Sequence, residues 1–508
     1  MTASALPAEA GTIVIGAGTG GSAFAATLAA RPGESVLVLE AGPDYGPYAG
    51  GGWPADMLDA KSIPLSHDWE LTATSGLDLP RARIVGGCSA HNGCTVARSA
   101  RYDYDDWAAR GNPGWDAEAV EPLLDWAHLR LRVRRYRQDE LTVAQAAFVD
   151  AGTRAGLPYA DDLDDVEAGP GIGPMPVNIA NGVRWNAAFA FLDPARHRPN
   201  LTIAGDAPVT RILIEQGVAR GVEVLLPDAT TRQIRAERVV VAGGAYHSPA
   251  LLQRSGIGAA GHLRGLGIPV VADLPGVCEN LLDHACVQLD FHGRPGLLAE
   301  LARTPWNPDE QTVGRARSSH CDAGPYDIHL FMVAGANSGH PGLPPVTLYG
   351  GAMRAVSAGR VAITGAGPDA AMTIDHRYAT DPAGQDRAVL GEALELLREI
   401  TRDAELADLL GEPSHPERDP LAKIVSYCHP AGTCRMGPAG DPGAVVDATG
   451  AVHGVSRLYV ADASVMPAIT RGNINLPTAM IGARIAAGLA GISPAVAAQD
   501  TTTQDVTP

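Results

Sequence analysis

Aromatic residues are scarce in this chain, at 5% of its 508 positions, and its 39 lysines and arginines are outnumbered by 57 acids. A net charge of −18 disfavours nucleic acid and anionic membrane as partners, because both require a basic surface. No apolar run reaches the roughly 18 residues that a membrane span requires. The opening MTASALPAEAG has neither a basic stretch nor an apolar one ahead of the first expected strand, so no secretory signal is read there. The seven cysteines (88, 94, 278, 286, 321, 428 and 434) are odd in number and form no CxxC pair. That pattern disfavours a zinc site or a disulfide framework and fits a reducing, cytoplasmic setting.

What is present is the composition of a globular protein, 45% apolar and 19% charged. The length exceeds one ordinary core, so two intimately joined domains are expected. Residues 12–40 read TIVIGAGTGGSAFAATLAARPGESVLVLE. A short apolar run, a glycine turn, an Ala-rich helical stretch, a second apolar run and an acid follow one another. This is the βαβ dinucleotide fingerprint, with Gly16, Gly18 and Gly21 in GxGxxG register around Thr19 and Gly20, and with Glu40 placed 24 residues past Gly16. Gly16 makes the tight turn, Gly18 lets the backbone approach a pyrophosphate, and Gly21 lets helix and strand pack closely. The helix N-terminus offers free N–H groups and positive dipole to phosphates. Glu40 is suited to both hydroxyls of an adenosine ribose, which opposes a 2′-phosphate and so NADP. The fingerprint alone leaves FAD and NAD open.

Ala41, Gly42 and Pro43 form a turn that opens a Gly/Pro/Tyr-rich loop to about Pro64, of a length that tends to be functional. Helices are expected near 118–132, 142–155, 385–405 and 479–489. Strands are expected at 201–224, 239–242, 328–333, 346–349, 361–364 and 371–375. The acidic run 161–165 lacks the glycine and terminal glutamate of a calcium loop, and no metal site is read anywhere.

Residues 81–93, RARIVGGCSAHNG, and residues 244–258, GAYHSPALLQRSGIG, are more specific than the glycine fingerprint. They follow it at the intervals of the glucose–methanol–choline (GMC) family of flavin-dependent oxidoreductases, which the chain resembles over roughly 10–285 and 420–490. That resemblance implies an α/β fold. A Rossmann-like FAD-binding domain would comprise 1–150, 195–285 and 425–492. An inserted α+β substrate domain, built on an antiparallel sheet that roofs the flavin, would comprise 151–194 and 286–424. Residues 493–508 are expected to be a disordered tail.

The resemblance also implies roles. Gly86, Gly87, Ser89, Asn92 and Gly93 would lie along FAD, and a Val at the place of Val209 packs on adenine. Cys88 and His91 depart from the commoner pattern toward the choline oxidase branch. There a His at the place of His91 is bonded to the flavin 8α-methyl carbon; packing without a bond is the alternative. Gly93 stands where that branch has Ser. Residues 426–437, SYCHPAGTCRMG, resemble the segment carrying the catalytic His. Residues 458–467, LYVADASVMP, and 471–478, RGNINLPT, resemble the flavin-cradling stretch and the second catalytic position.

The expected catalytic pair is therefore His429 and Asn473, with Asp462, Ala463, Asn475, Pro477 and Thr478 assigned to the cofactor. A helix N-terminus just past Pro477 would favour negative charge on the pyrimidine edge of reduced flavin. His67, His247, His284 and His453 are read as structural. Cys428 and Cys434 have no identifiable thiolate-activating neighbour.

The chemistry agrees with the pair. Oxidising an alcohol removes a hydroxyl proton and a hydride from one carbinol. A neutral imidazole suits the proton, an amide N–H can hold the alkoxide, and flavin N5 would take the hydride. The expected function is FAD-dependent oxidation of a small-molecule alcohol, with reoxidation by O2 giving H2O2. A dehydrogenase serving a quinone or protein acceptor, a hydroxynitrile lyase-like activity on the same scaffold, and a non-catalytic nucleotide-binding module are the alternatives. The alcohol is not named by the sequence, since no aromatic cage stands at readable spacing, and a homodimer is left open.

Overall fold

The fingerprint folds as strand Glu9–Ile15, helix Thr19–Ala29 and strand Val36–Leu39 in the computed structural model, which describes residues 6–64, 66–321, 323–335 and 344–499. Val36–Leu39 is buried throughout, as expected of a parallel strand covered on both faces. It pairs in parallel with Glu9–Ile15 on one side and Leu201–Ala204 on the other. Glu9–Ile15 also pairs in parallel with Thr231–Val241. That long strand serves two ladders. Its last residues pair in parallel with Leu458–Val460, and its first part runs antiparallel to Val218–Leu225, which pairs with Val209–Glu215. The result is a seven-stranded mixed sheet.

A second sheet has six strands in the order Val425–Ser426, Ala285–Phe291, Val346–Ala352, Ile328–Ala334, Thr312–Ala316, Gly171–Pro174, each neighbouring pair antiparallel. Helix Gln385–Ile400 covers it with a stripe of Val389, Leu390, Ala393, Leu394 and Leu397, the spacing of one helical face. The two sheets have separate apolar cores. The α/β class with a second, antiparallel sheet is therefore as the sequence reads.

The cores divide the chain differently from the expected boundaries at three places. Helix Val143–Arg154 contributes Phe148 and Val149 to the second core. Trp185 and residues 187–192 belong to the first. So do Val361 and Ile374 of the hairpin Arg360–Ile363 and Met372–Asp375, which packs beside helix Gly244–Arg254. In each case tertiary packing, which sequence spacing does not encode, decides the membership.

The expected helix 385–405 is two, because Asp403 caps a new helix, Ala404–Leu410, by accepting from the N–H of Glu405 and Leu406. The helix expected at 479–489 begins earlier, at Asn475; Pro477 is tolerated in its first turn, where its missing N–H has no intrahelical partner to lose. Pro494–Gln499, expected to be tail, is helical. It packs on Ala117–Arg130 and buries Ala497. Residues 500–508 lie outside the described residues.

Candidate active site

Strand Glu9–Ile15 runs straight into Gly16, whose φ of +98° is one that side chains rarely adopt and where a Cβ would meet Ala242 O at 2.5 Å. A Cβ on Gly21 would sit 2.0 Å from Gly16 O, so this glycine closes the helix onto the strand and does not line the cavity beyond. A Cβ on Gly87 would lie 2.6 Å from Gly18 Cα. The second glycine motif is thereby seated directly on the first, 69 residues earlier. Gly86 and Pro477 lie behind the lining.

These turns open on a cavity of about 820 Å³ between the two sheets. Its walls bring together nearly every residue expected at the site: Gly16, Gly18, Thr19, Gly20, Glu40, Ala41, Gly87, Ser89, His91, Asn92, Gly93, Val209, Asp462, Ala463, Asn475 and Thr478, together with His429 and Asn473. Two helices begin at this wall, at Thr19 and Asn475. Their first residues are joined by the Thr19 hydroxyl donating to Asn475 Oδ1 at 2.7 Å. The Asn475 Nδ2 is buried without a partner. The Glu40 carboxylate accepts from the N–H groups of Ala17 and Gly42, both at 2.9 Å. Burial pushes it up to about 7 against these bonds. Both oxygens of Asp462 are engaged by the protein, through Gly244 N–H, the Ser248 hydroxyl and Ser464 N–H.

His429 stands at the other end, after Cys428, which is held at φ +67°. Cys428 N–H donates to Ser426 Oγ at 2.8 Å, and Arg81 donates to Cys428 O at 3.0 Å. The His429 N–H donates to Asp283 Oδ1 at 2.8 Å. Asp283 Oδ2 accepts from the Tyr378 hydroxyl at 2.6 Å.

Behind the imidazole lies His284, buried, its Nδ1 2.9 Å from His429 Nδ1 and its Nε2 3.1 Å from Thr470 O. A backbone carbonyl only accepts, so His284 carries its proton on Nε2 and presents a lone pair at Nδ1. His429 must then donate from Nδ1, which leaves its Nε2 as an acceptor. That atom is 3.3 Å from Asn473 Nδ2. Burial pulls His429 well below the ordinary imidazole range, and His284, Arg81 and His329 add to the effect. His284 falls to about 4, mainly by burial. Both rings are neutral near pH 7. His91, on the cavity wall, falls to about 3 through burial and then Arg81.

Sequence reasoning placed His284 among structural residues; the fold puts it directly behind His429 across 145 positions. The Asp-His step at 283–284 is the only local signal, and it is weak. Arg81 is a second omission. Half-buried beside both Cys88 and Cys428, it is the cationic neighbour that the cysteine reading lacked, yet burial still holds the Cys428 thiol above its ordinary value. Arg184 is a third. Fully buried, it donates to the carbonyls of Asn92, Asp59 and Ser62 and so anchors the loop behind the flavin segment. Phe331, Tyr349, Tyr427 and Glu310 complete the cavity wall.

The chain matches the family model described as GMC oxidoreductase in two parts, residues 12–286 and 355–482. It is 33% identical to the oxygen-dependent choline dehydrogenase of Brucella canis, over 96% of this chain and 96% of that one. It is 32% identical to the mitochondrial choline dehydrogenase of Homo sapiens, over 93% of this chain and 88% of that one. Among solved structures, pyridoxine 4-oxidase from Mesorbium loti superposes with a TM-score of 0.82 at 26% identity, covering 95% of this chain and 99% of that one.

Proposed function

This chain belongs to the GMC oxidoreductase family, and from that premise we propose that it oxidises a small-molecule alcohol to the carbonyl with O2 as the electron acceptor. It is an FAD-dependent alcohol oxidoreductase. The net reaction proposed is alcohol plus O2 giving carbonyl plus H2O2. The observation that carries the reading is the lone pair of His429 Nε2, turned toward Asn473 by the His284–Thr470 relay.

The residues present fit FAD. The orphaned Nδ2 of Asn475 and the two helix N-termini suit an anionic pyrophosphate. Glu40 retains lone pairs for ribose hydroxyls, and Val209 lines the wall for adenine. His91, Asn92 and Gly93 line the flavin end. When bound, FAD supplies the hydride acceptor. The protein's part is to orient the carbinol, take its hydroxyl proton at His429 Nε2 and hold the resulting negative oxygen at Asn473 Nδ2.

Oxygen as acceptor is supported by the names of two relatives, one an oxygen-dependent choline dehydrogenase and one a pyridoxine 4-oxidase. The name of the human relative, choline dehydrogenase, supports the competing acceptor class. A panel of alcohols mixed with purified holoenzyme separates the readings. Bleaching of the flavin without air, with peroxide formed in air, is the expected result. Bleaching with no oxygen uptake would replace the oxidase with a dehydrogenase using a quinone or protein acceptor. Conversion of a cyanohydrin without bleaching would point to the lyase.

His91 is proposed to hold the flavin covalently. Its ring lines the cavity, is neutral, and makes no hydrogen bond among the described residues. Acid-precipitated wild type is expected to remain yellow, while His91→Ala releases the colour to the supernatant. A colourless wild-type pellet contradicts the bond.

A further inference from the structure

Glu310 is a carboxylate in the catalytic cavity with no assigned task. It follows the buried Asp309 and precedes strand Thr312–Ala316 of the roof. Its Oε1 is buried without a hydrogen-bond partner. Its Oε2 lies against the backbone of Gly93, where an added Cβ would meet it at 3.0 Å. The carboxylate therefore fills the space that the missing side chain at residue 93 leaves open. That space lies on the same wall as Asn92 and opens on the cavity shared with His429 and Asn473.

Among the described residues no cation pairs with Glu310. Asp309 is a second acid beside it, and Asp59 stands beyond. Lys61 pairs with Asp59 at 3.7 Å, Arg315 lies over the Tyr326 ring at 4.7 Å, and Arg184 donates to the carbonyls of Asn92, Asp59 and Ser62. Burial, then Asp309, pushes Glu310 up to about 8. Near pH 7 the unliganded group therefore holds its proton, and a cation arriving with the ligand favours its ionised form.

The neighbouring wall decides which kind of cation. Phe331 stacks on Tyr349 at 4.8 Å and 11°, and on Tyr427 at 4.5 Å and 14°. Tyr427 in turn lies 4.5 Å from the His429 ring. These faces are turned toward one another, so they form an apolar wall and not an open box for a quaternary ammonium. The Tyr427 hydroxyl, like Glu310 Oε1, is buried and unpartnered. Two orphaned oxygens call for a group that donates N–H.

Building on the alcohol-oxidation reading, we propose that Glu310 and Tyr427 form a recognition subsite for a protonated nitrogen of the substrate, so that the preferred alcohols carry an amine or a ring N–H cation. The cation docks on Glu310 beside Gly93, and the carbinol reaches His429 along the aromatic wall.

Ligand binding tests this without turnover. The oxidised holoenzyme is titrated with benzylammonium and with uncharged benzyl methyl ether, following the flavin spectrum. Wild type is expected to bind benzylammonium at least about tenfold tighter. Glu310→Gln is expected to weaken benzylammonium by about 10–100-fold more than the ether, as for loss of a charge-assisted hydrogen bond. Flavin content checks that the variant folds. Equal affinity for the two probes in wild type, or an equal change for both in the variant, overturns the subsite. The wild-type comparison decides even if the variant loses its flavin. Failure of every alcohol to bleach the flavin would instead count against alcohol oxidation.

Discussion

Replacing His429 by alanine is expected to lower the rate of anaerobic flavin bleaching by alcohol by about 10²–10⁴-fold, the range for losing a positioned general base. The relay makes the expectation specific. Thr470 O accepts a hydrogen bond from His284 Nε2–H, His284 Nδ1 accepts one from His429 Nδ1–H, and Nε2 of His429 is left as an acceptor. Because the proton acceptor must be neutral, activity is lost as pH falls through the His429 pKa. Burial, reinforced by His284, Arg81 and His329, sets that pKa well below its ordinary value. The acid limb of kcat/KM is therefore expected below pH 6.5 in wild type. An acid limb at or above that pH, or a His429→Ala rate within threefold of wild type, would remove this residue from the role.

The largest stability effect is expected from Asp103→Ala. Asp103 accepts from the backbone N–H of Arg471 at 2.9 Å and forms an ion pair with its guanidinium. Both side chains are buried, at 3% and 0% exposure. Arg471 also donates to Ala323 O, and its backbone leads directly into Gly472 and Asn473. Removing the acid strands a guanidinium in the interior, which costs about 3–5 kcal/mol where one partner of a buried pair is deleted. Denaturant unfolding of the holoenzyme measures it. The loop carrying Asn473 is the first part expected to loosen, so bleaching by alcohol should slow as well. A loss below about 1 kcal/mol would mean that Arg471 finds other partners or water.

The features legible in the chain are those written within a few tens of residues. Gly16, Gly18, Gly21 and Glu40 declare themselves because a turn, a helix start and a strand end impose residue types at short, fixed spacing. His429 and Asn473 are singled out by the motifs around them, and the fold sets them 3.3 Å apart although no spacing rule connects the two. His284 is not singled out. Its meaning depends on which nitrogen faces Thr470 O and which faces His429, and that depends on two strands of the roof, Ala285–Phe291 and Val425–Ser426, pairing side by side. Glu310 was silent for the same reason. An acid before a strand is ordinary until the fold sets it against Gly93 with no ion-pair partner among the described residues. The aromatic wall, absent as a spaced motif, is assembled from residues 331, 349 and 427.

The sequence by itself determined the glycine turns and buried strands at the cavity wall, because backbone conformations that only glycine tolerates, and the period of buried strands, are local properties of the chain. Only the tertiary structure placed His284 behind His429 and Glu310 against Gly93. Both depend on side-chain atoms brought within about 3 Å from distant segments, and the energy that holds a tautomer or raises a carboxylate comes from burial, which exists only once the two sheets have closed over the cavity.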